Sequence, residues 1–236
     1  MKKTIFALLS LMLFVSCAEK KKEHNFNLIG NIKGLKKGTL YIQRIIDTTL
    51  VPIDTIKING DSHFISDFDL KSPEMLYLFL DRGVSNSLDN NISFFAEPGT
   101  MNLETSLDFF TADVKITGSK NQKLYDEYRK IISKYNDQDL DLMASKFNAY
   151  KEKNTSEVEK IQTKQNALLK RKYLYTTNFA VNNGDYEVSP YVALADIYDI
   201  HLKYLDTIQK RMSAKVAKSL YGKKLNAYIA ERRKQE

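Results

Sequence analysis

Val114-Lys115-Ile116-Thr117-Gly118-Ser119-Lys120-Asn121-Gln122-Lys123-Leu124-Tyr125-Asp126-Glu127-Tyr128 is where this chain changes its hydrophobic period. Before Gly118, apolar and polar residues alternate, the two-residue repeat of a strand with one buried face. After it, Leu124, Tyr128, Ile131, Ile132 and Tyr135 recur three and four apart, the stripe of an amphipathic helix. The two halves therefore read as different structural classes, and the chain as an α+β protein. We expect an antiparallel β sandwich or barrel-like domain over residues 26–118 and a mostly helical domain over 119–236.

Working upstream, short strand patterns follow one another with turn residues between them. Phe26-Asn27-Leu28-Ile29-Gly30-Asn31-Ile32 opens the series, and Lys36-Lys37-Gly38 turns it into Thr39-Leu40-Tyr41-Ile42. Ile53 to Ile58 alternates, and Asn59-Gly60-Asp61 has the residues of a positive-φ hairpin turn before Ser62-His63-Phe64-Ile65. Leu76–Leu80 and Ile92–Ala96 scarcely alternate, which predicts strands covered on both faces. Pro98-Gly99 turns the chain into Met101-Asn102-Leu103-Glu104, and Val114–Thr117 is the last strand. Gly30 and Gly34 are expected at a bulge and a turn, since no helix follows them to make a phosphate loop.

Downstream, Leu140, Met143, Phe147 and Tyr150 prolong the stripe of the first helix as core positions, with a possible break near Asn136-Asp137. Ser156 with Glu159 has capping-box spacing for a second helix carrying Ile161, Leu168, Leu169 and Tyr173, and Asn182-Asn183-Gly184 stops it. Ser189-Pro190 reads as cap and first position of a third helix, with Val192, Leu194, Ala195, Ile197 and Tyr198. A short helix around Leu205–Met212 and a last one from about Ala214 to Arg232 complete this half.

The N-terminus is a different kind of signal. Lys2 and Lys3 precede an almost wholly apolar run from Thr4 to Val15, then Ser16 and the chain's single cysteine, Cys17. That is the layout of an export signal over residues 1–16, too short for a permanent membrane helix. Leu13-Phe14-Val15-Ser16-Cys17 resembles the lipobox of bacterial lipoproteins. The resemblance implies that Cys17 carries diacylglycerol and an amide-linked acyl chain such as palmitate. Residues 17–25 would then be the lipidated cysteine and a charged tether, and the protein would sit in the cell envelope, anchored at the outer membrane. A cysteine spent on lipid leaves none for a disulfide, a zinc site or a Cys-x-x-Cys pair.

The net charge of +7 is unevenly spread. Residues 18–118 carry 11 Lys and Arg against 14 Asp and Glu, whereas 119–236 carry 23 against 15. Because the lysines of the second half are interleaved with acids, they read as solvated helix faces and not as a nucleic-acid patch.

With both halves laid out, the chain resembles a lipoprotein of the domain of unknown function 4369 family. Leu28-Ile29-Gly30-Asn31-Ile32-Lys33-Gly34-Leu35 resembles the family's opening strand and turn. Ile53-Asp54-Thr55 with Ile58-Asn59-Gly60 and Phe64 resembles its hairpin, and Phe94-Phe95-Ala96-Glu97-Pro98-Gly99 resembles one of its turns. Ile116-Thr117-Gly118-Ser119 with Asn121 resembles the exit from its sheet. In larger relatives these regions precede a thioredoxin-like domain of periplasmic thiol–disulfide oxidoreductases. Val188-Ser189-Pro190-Tyr191-Val192-Ala193 and Ser219–Leu225 resemble the helical stretch leading into that domain. The sequence has no Cys-x-x-Cys, so the redox thiolate of those relatives is not carried over.

Candidate chemistry is sparse. His24, His63 and His201 fall in three separate segments. Asp61, Ser62 and His63 are adjacent in a strand and would face opposite ways, which disfavours a relay. Asp137, Asp139 and Asp141 lack the glycine and distal glutamate of a calcium loop and read as a solvated helix start, and Asp67 and Asp69 as strand-end acids. Tyr125, Tyr128, Tyr135 and Tyr173 read as packing residues with wet hydroxyls, and Lys170-Arg171-Lys172 as a solvated turn. We therefore expect no catalytic, metal or cofactor residues. The expected protein is a non-enzymatic, lipid-anchored binding or interaction module with an envelope protein or a glycan as partner and no nucleic acid. The alternative is an accessory or truncated half of a thiol–disulfide oxidoreductase whose thioredoxin domain is absent from this chain.

Overall fold

A computed structural model of the chain describes residues 24–83 and 88–235. Cys17, the signal segment and residues 17–23 of the tether lie outside the described residues. The strands are β1 (Phe26–Lys33), β2 (Lys37–Ile46), β3 (Thr49–Asn59), β4 (His63–Phe68), β5 (Glu74–Asp81), β6 (Asn91–Ala96), β7 (Gly99–Ser106) and β8 (Lys115–Thr117). The helices are α1 (Lys120–Lys151), α2 (Thr155–Asn182), α3 (Val188–Asp196), α4 (Leu202–Arg211), α5 (Ala214–Ala217) and α6 (Leu220–Gln235). The α+β class and the order of its halves are as expected.

The strands form two four-stranded sheets, β4-β1-β7-β8 and β3-β2-β5-β6. Their inner faces share one core. Phe26, Leu28, Ile32, Phe64, Met101 and Leu103 come from the first sheet, and Leu40, Ile42, Leu76, Leu78, Leu80 and Phe94 from the second. Most pairs are antiparallel, but β1 and β7 run parallel, Phe26 opposite Gly99 and Ile32 opposite Thr105. Alternation fixes which face a residue takes, not its neighbour, so this pairing is invisible locally.

Asn59-Gly60-Asp61 is not a hairpin turn. β3 pairs with β2 in one sheet and β4 with β1 in the other, so the turn is a corner where the chain crosses between sheets. Gly60 does take a positive φ of 99° there, and its N–H donates to the Lys36 carbonyl at 2.8 Å. That bond ties the corner to the parallel crossing between β1 and β2. The bulge is also elsewhere, between Ile42 and Gln43 in β2. Gly30 sits in regular register opposite Phe64, and a Cβ there would lie 2.1 Å from the Phe64 ring. Its missing side chain makes room for that ring. Gly34, at φ 90°, does serve a turn.

The β5–β6 side of the second sheet is covered on both faces, as expected for its unalternating runs. Met75 and Phe95 point away from the sandwich into a second core with the helices, among them Leu124, Tyr128, Val192, Leu205, Leu225 and Ile229. Strand β6 is an edge, a position that invites unwanted pairing. Here the Phe95 N–H donates to the buried side chain of Gln122 in the first turn of α1.

Several helix boundaries differ from expectation. α1 runs unbroken through Asn136-Asp137, which places Asp137, Asp139 and Asp141 mid-helix. Asn154, not Ser156, caps α2 by accepting from the Glu157 N–H at 3.1 Å. Ser189 lies inside α3 and donates to the Ala180 carbonyl at 2.7 Å. The last helix is split, with Ser219 between α5 and α6. Leu140, Met143, Phe147 and Tyr150 are not core. They are 62, 53, 59 and 59% exposed, while Leu142 and Ala149 on another side of α1 are more buried.

Candidate functional site

Two polar constellations stand out. The first lies where the sheets meet the helices. Glu97, in the turn between β6 and β7, accepts from the Ser119 hydroxyl at 2.9 Å, the Lys120 N–H at 2.9 Å and the Asn121 N–H at 3.1 Å. A carboxylate at a helix N-terminus satisfies orphan amides and complements the helix dipole. Gly118 makes the geometry possible. It has a φ of 97°, and a Cβ there would stand 2.3 Å from the Thr100 carbonyl oxygen. The chain thus leaves the sheet within contact distance of the neighbouring backbone.

Asn121 extends the junction. It is fully buried; its Nδ2 donates to Glu187 Oε2 at 3.0 Å and its Oδ1 accepts from the Val188 N–H at 2.9 Å. Glu187 is also buried, and its other carboxylate oxygen lies 3.5 Å from Lys215 Nζ. One amide side chain so holds the start of α1, the start of α3 and, through Glu97, the sheet. Apart from Glu187 Oε1, which has the Lys215 ion pair but no hydrogen bond, these groups are engaged within the fold, and the chemistry is that of a joint.

The second constellation is a cleft of about 260 Å³ between α1, α2 and α3, lined by Tyr125, Arg129, Ser133, Lys172, Tyr191 and Asp196 among others. Its floor is aromatic: Tyr191 meets Phe95 edge-on with centroids 5.5 Å apart, and packs on Tyr221 at 4.9 Å. Burial, reinforced by the neighbouring Tyr125, pushes the Tyr191 hydroxyl well above the ordinary phenol range. The Tyr128 hydroxyl is raised in the same way, by burial first and then by Asp196, whose carboxylate accepts from it at 2.7 Å. It also meets the Thr176 hydroxyl at 2.9 Å. Tyr128 is fully buried and its hydroxyl is not wet, contrary to expectation. Tyr173, pushed up to about 12 by burial and by Asp199, donates to that carboxylate at 2.8 Å. All three phenols therefore remain protonated donors at neutral pH.

At the rim, Lys172 Nζ donates to Asn136 Oδ1 at 2.8 Å, and the Arg129 guanidinium stacks 5.8 Å from the Tyr125 ring. The Ser133 hydroxyl donates to its own helix, to the Lys130 carbonyl at 3.3 Å. The cleft sets two cations, Arg129 and Lys172, beside the Asp196 carboxylate, an arrangement suited to a polar ligand. Lys172 thus lies at a cleft rim, not in a solvated turn.

The other residues singled out in the sequence are dispersed. His63 Nδ1 is 2.8 Å from Asp61 Oδ1, but Ser62 donates instead to Asn31 Oδ1 at 2.8 Å, so no relay forms. His24 lies 3.4 Å from Asp69, and His201 caps α4 by accepting from the Lys203 N–H at 3.2 Å. Asp139 accepts from Gln165 at 3.0 Å. Among the described residues no group of three or more His, Cys, Asp or Glu is placed to hold a metal ion. No described helix is long and apolar enough to cross a membrane.

The hairpin and opening-strand motifs behind the family resemblance have physical roles. Asp54 of β3 accepts from the buried Ser66 of β4, which bridges the two sheets, and Phe64 fills the space over Gly30. Residues 26–125 match the model of a family described as a domain of unknown function, DUF4369. Over these residues the chain is similar to that family. The match continues past the last strand to Tyr125, and the matched stretch thereby includes the helical turns carrying Ser119, Asn121 and Gln122 that dock on the sheet. No curated protein and no solved structure matches the chain significantly. Asn121 and Glu97 were visible in the sequence only as motif residues. The partnership of Tyr128 with Asp196 had no local signal.

Proposed function

We propose that this protein is a lipid-anchored cell-envelope protein that works as a non-catalytic binding or interaction module. The observation that carries the reading is Cys17, placed directly after the charged start and apolar run of an export signal and directly before a charged tether. A diacylglyceryl group with an amide-linked acyl chain holds such a protein firmly, since each buried CH₂ contributes about 0.8 kcal/mol and one chain alone binds reversibly. The tether then carries the DUF4369 domain and its helices clear of the surface.

The binding role is supported by how the polar groups are used. The buried carboxylate Glu187 and amide Asn121 are committed to the joint, and the raised phenols act as donors. The cleft flanked by Arg129 and Lys172 is the recognition surface in this reading, for a polar feature of an envelope protein or a glycan. The test of the anchor is metabolic labelling with radioactive palmitate. We expect label in the full chain and none after Cys17→Ala; label that survives the substitution, or is absent from both, defeats the proposal.

A further inference from the structure

The α1–α2 hairpin carries an apolar seam that the rest of the described chain leaves uncovered. Leu140, Met143, Phe147 and Tyr150 are each more than half exposed, although they are spaced three, four and three residues apart along one line of α1. This is the a/d spacing of a coiled-coil seam, over about 15 Å of helix. α2 packs elsewhere on α1: Asp139 accepts from Gln165, and Lys146 donates to Gln162 and Gln165. The seam is thus free of the hairpin's own partner. Single exposed apolar residues are ordinary; four in register on a helix signal an interface.

The flanking charges select the occupant. On the open side of the seam stand Asp137 before it, the small Ala144 at its middle and Lys151 after it, the last with its ammonium 4.5 Å from the Phe147 ring centroid. An antiparallel copy of the same helix would set Leu140 against Tyr150 of the second copy and Met143 against Phe147 of the second copy. In that register Asp137 falls beside Lys151 of the second copy, twice by symmetry, and the two Ala144 positions meet at the axis. Parallel copies would lose this pairing of unlike charges. We propose that the exposed seam of α1 is a self-complementary interface through which two copies of this chain pair antiparallel. A two-fold interface must be self-complementary, and the order acid, small residue, base along the helix has that symmetry. Its shortness places it among the weak, reversible interfaces.

The inference does not depend on the lipid anchor, and its test is made on the full chain in the intact expressing cell, wherever it is located there. Ala144→Cys places a thiol at the axis, and Ser145→Cys places one on the far side of the same helix. With mild oxidant, we expect a reducible dimer from Ala144→Cys and at least tenfold less from Ser145→Cys. Asp137→Lys should lower the Ala144→Cys product several-fold, and adding Lys151→Asp should restore it, because the swapped charges pair again. Equal crosslinking at both positions, none at either, or no rescue by the swap overturns the proposal. A chain that stays monomeric yet floats with anionic phosphatidylglycerol vesicles, and loses flotation on Phe147→Glu, would give the seam to a lipid surface and also overturn it.

Discussion

Asn121 shows how a single side chain can define a fold's joint. Its amide satisfies a buried carboxylate and a backbone N–H 66 and 67 residues away, and its Nδ2 also reaches Glu97 Oε2 at 3.3 Å. Glu74 is a contrasting case. It is buried in β5 with Arg44 NH2 at 2.7 Å, yet burial outweighs the guanidinium and holds its carboxyl above the usual value. The sign follows from the linkage of protonation to folding. A carboxyl whose folded pKa is raised contributes stability below the unfolded value of 4.5, and that contribution is lost as pH rises through the folded value. Glu74→Gln keeps an acceptor for Arg44 without the buried charge. We expect its Tm to exceed that of the parent at pH 7 and to converge with it below about pH 4. Thermal unfolding followed by circular dichroism across that range checks this, and a parent more stable at pH 7 would refute it.

Among the secondary-structure elements, α1 is the one the sequence describes both best and worst. Its start is legible, because the period changes at Gly118-Ser119 and because Gly118 is where a side chain would strike the Thr100 carbonyl. Gly118→Ala should therefore destabilise by roughly 2 kcal/mol or more, combining left-handed strain with the collision. Urea unfolding measures it; a loss under about 0.5 kcal/mol would contradict the argument. Further along, the apolar stripe is equally legible but its burial is not. Periodicity reports that Leu140, Met143, Phe147 and Tyr150 share a line. It cannot report that α2 lies along a different line, where Gln162 and Gln165 bond Asp139 and Lys146 and where Ile161 and Leu168 are buried. Ser156 failed as a cap for a similar reason: Asn154 reaches the free amide first. The strands β5 and β6 were legible as doubly covered, since that property is written in their own composition.

How the halves are assembled was the least legible part. The sheets and helices meet through Phe95, Tyr125, Tyr191 and Tyr221, and through a hydrogen bond from the Met75 N–H to the Tyr221 hydroxyl at 2.9 Å. These residues are drawn from β5, β6, α1, α3 and α6, and only the finished fold brings them together. Tyr221→Phe keeps the ring but leaves a buried N–H unpaired, a loss of about 1–3 kcal/mol. We expect the urea midpoint to fall with the slope unchanged and a single transition retained, since β5 and β6 supply residues to both cores, Met75 and Phe95 to one and Leu76 and Phe94 to the other. Two separate transitions would show that the halves are energetically independent. The joint at Glu97, Ser119 and Asn121 was legible only through the resemblance to a family, because its partners lie far apart along the chain.

The parallel pairing of β1 with β7 has a kinetic consequence. β1 gains its second neighbour only when the sixth strand after it has been made, and until then one edge of β1 stays open. Because ring closure over such a span is entropically slow, the sandwich cannot complete as the chain emerges from its N-terminus. Under the proposed export reading, in which the chain crosses a narrow pore unfolded, that delay would let its first strand pass before the residue that locks it has arrived.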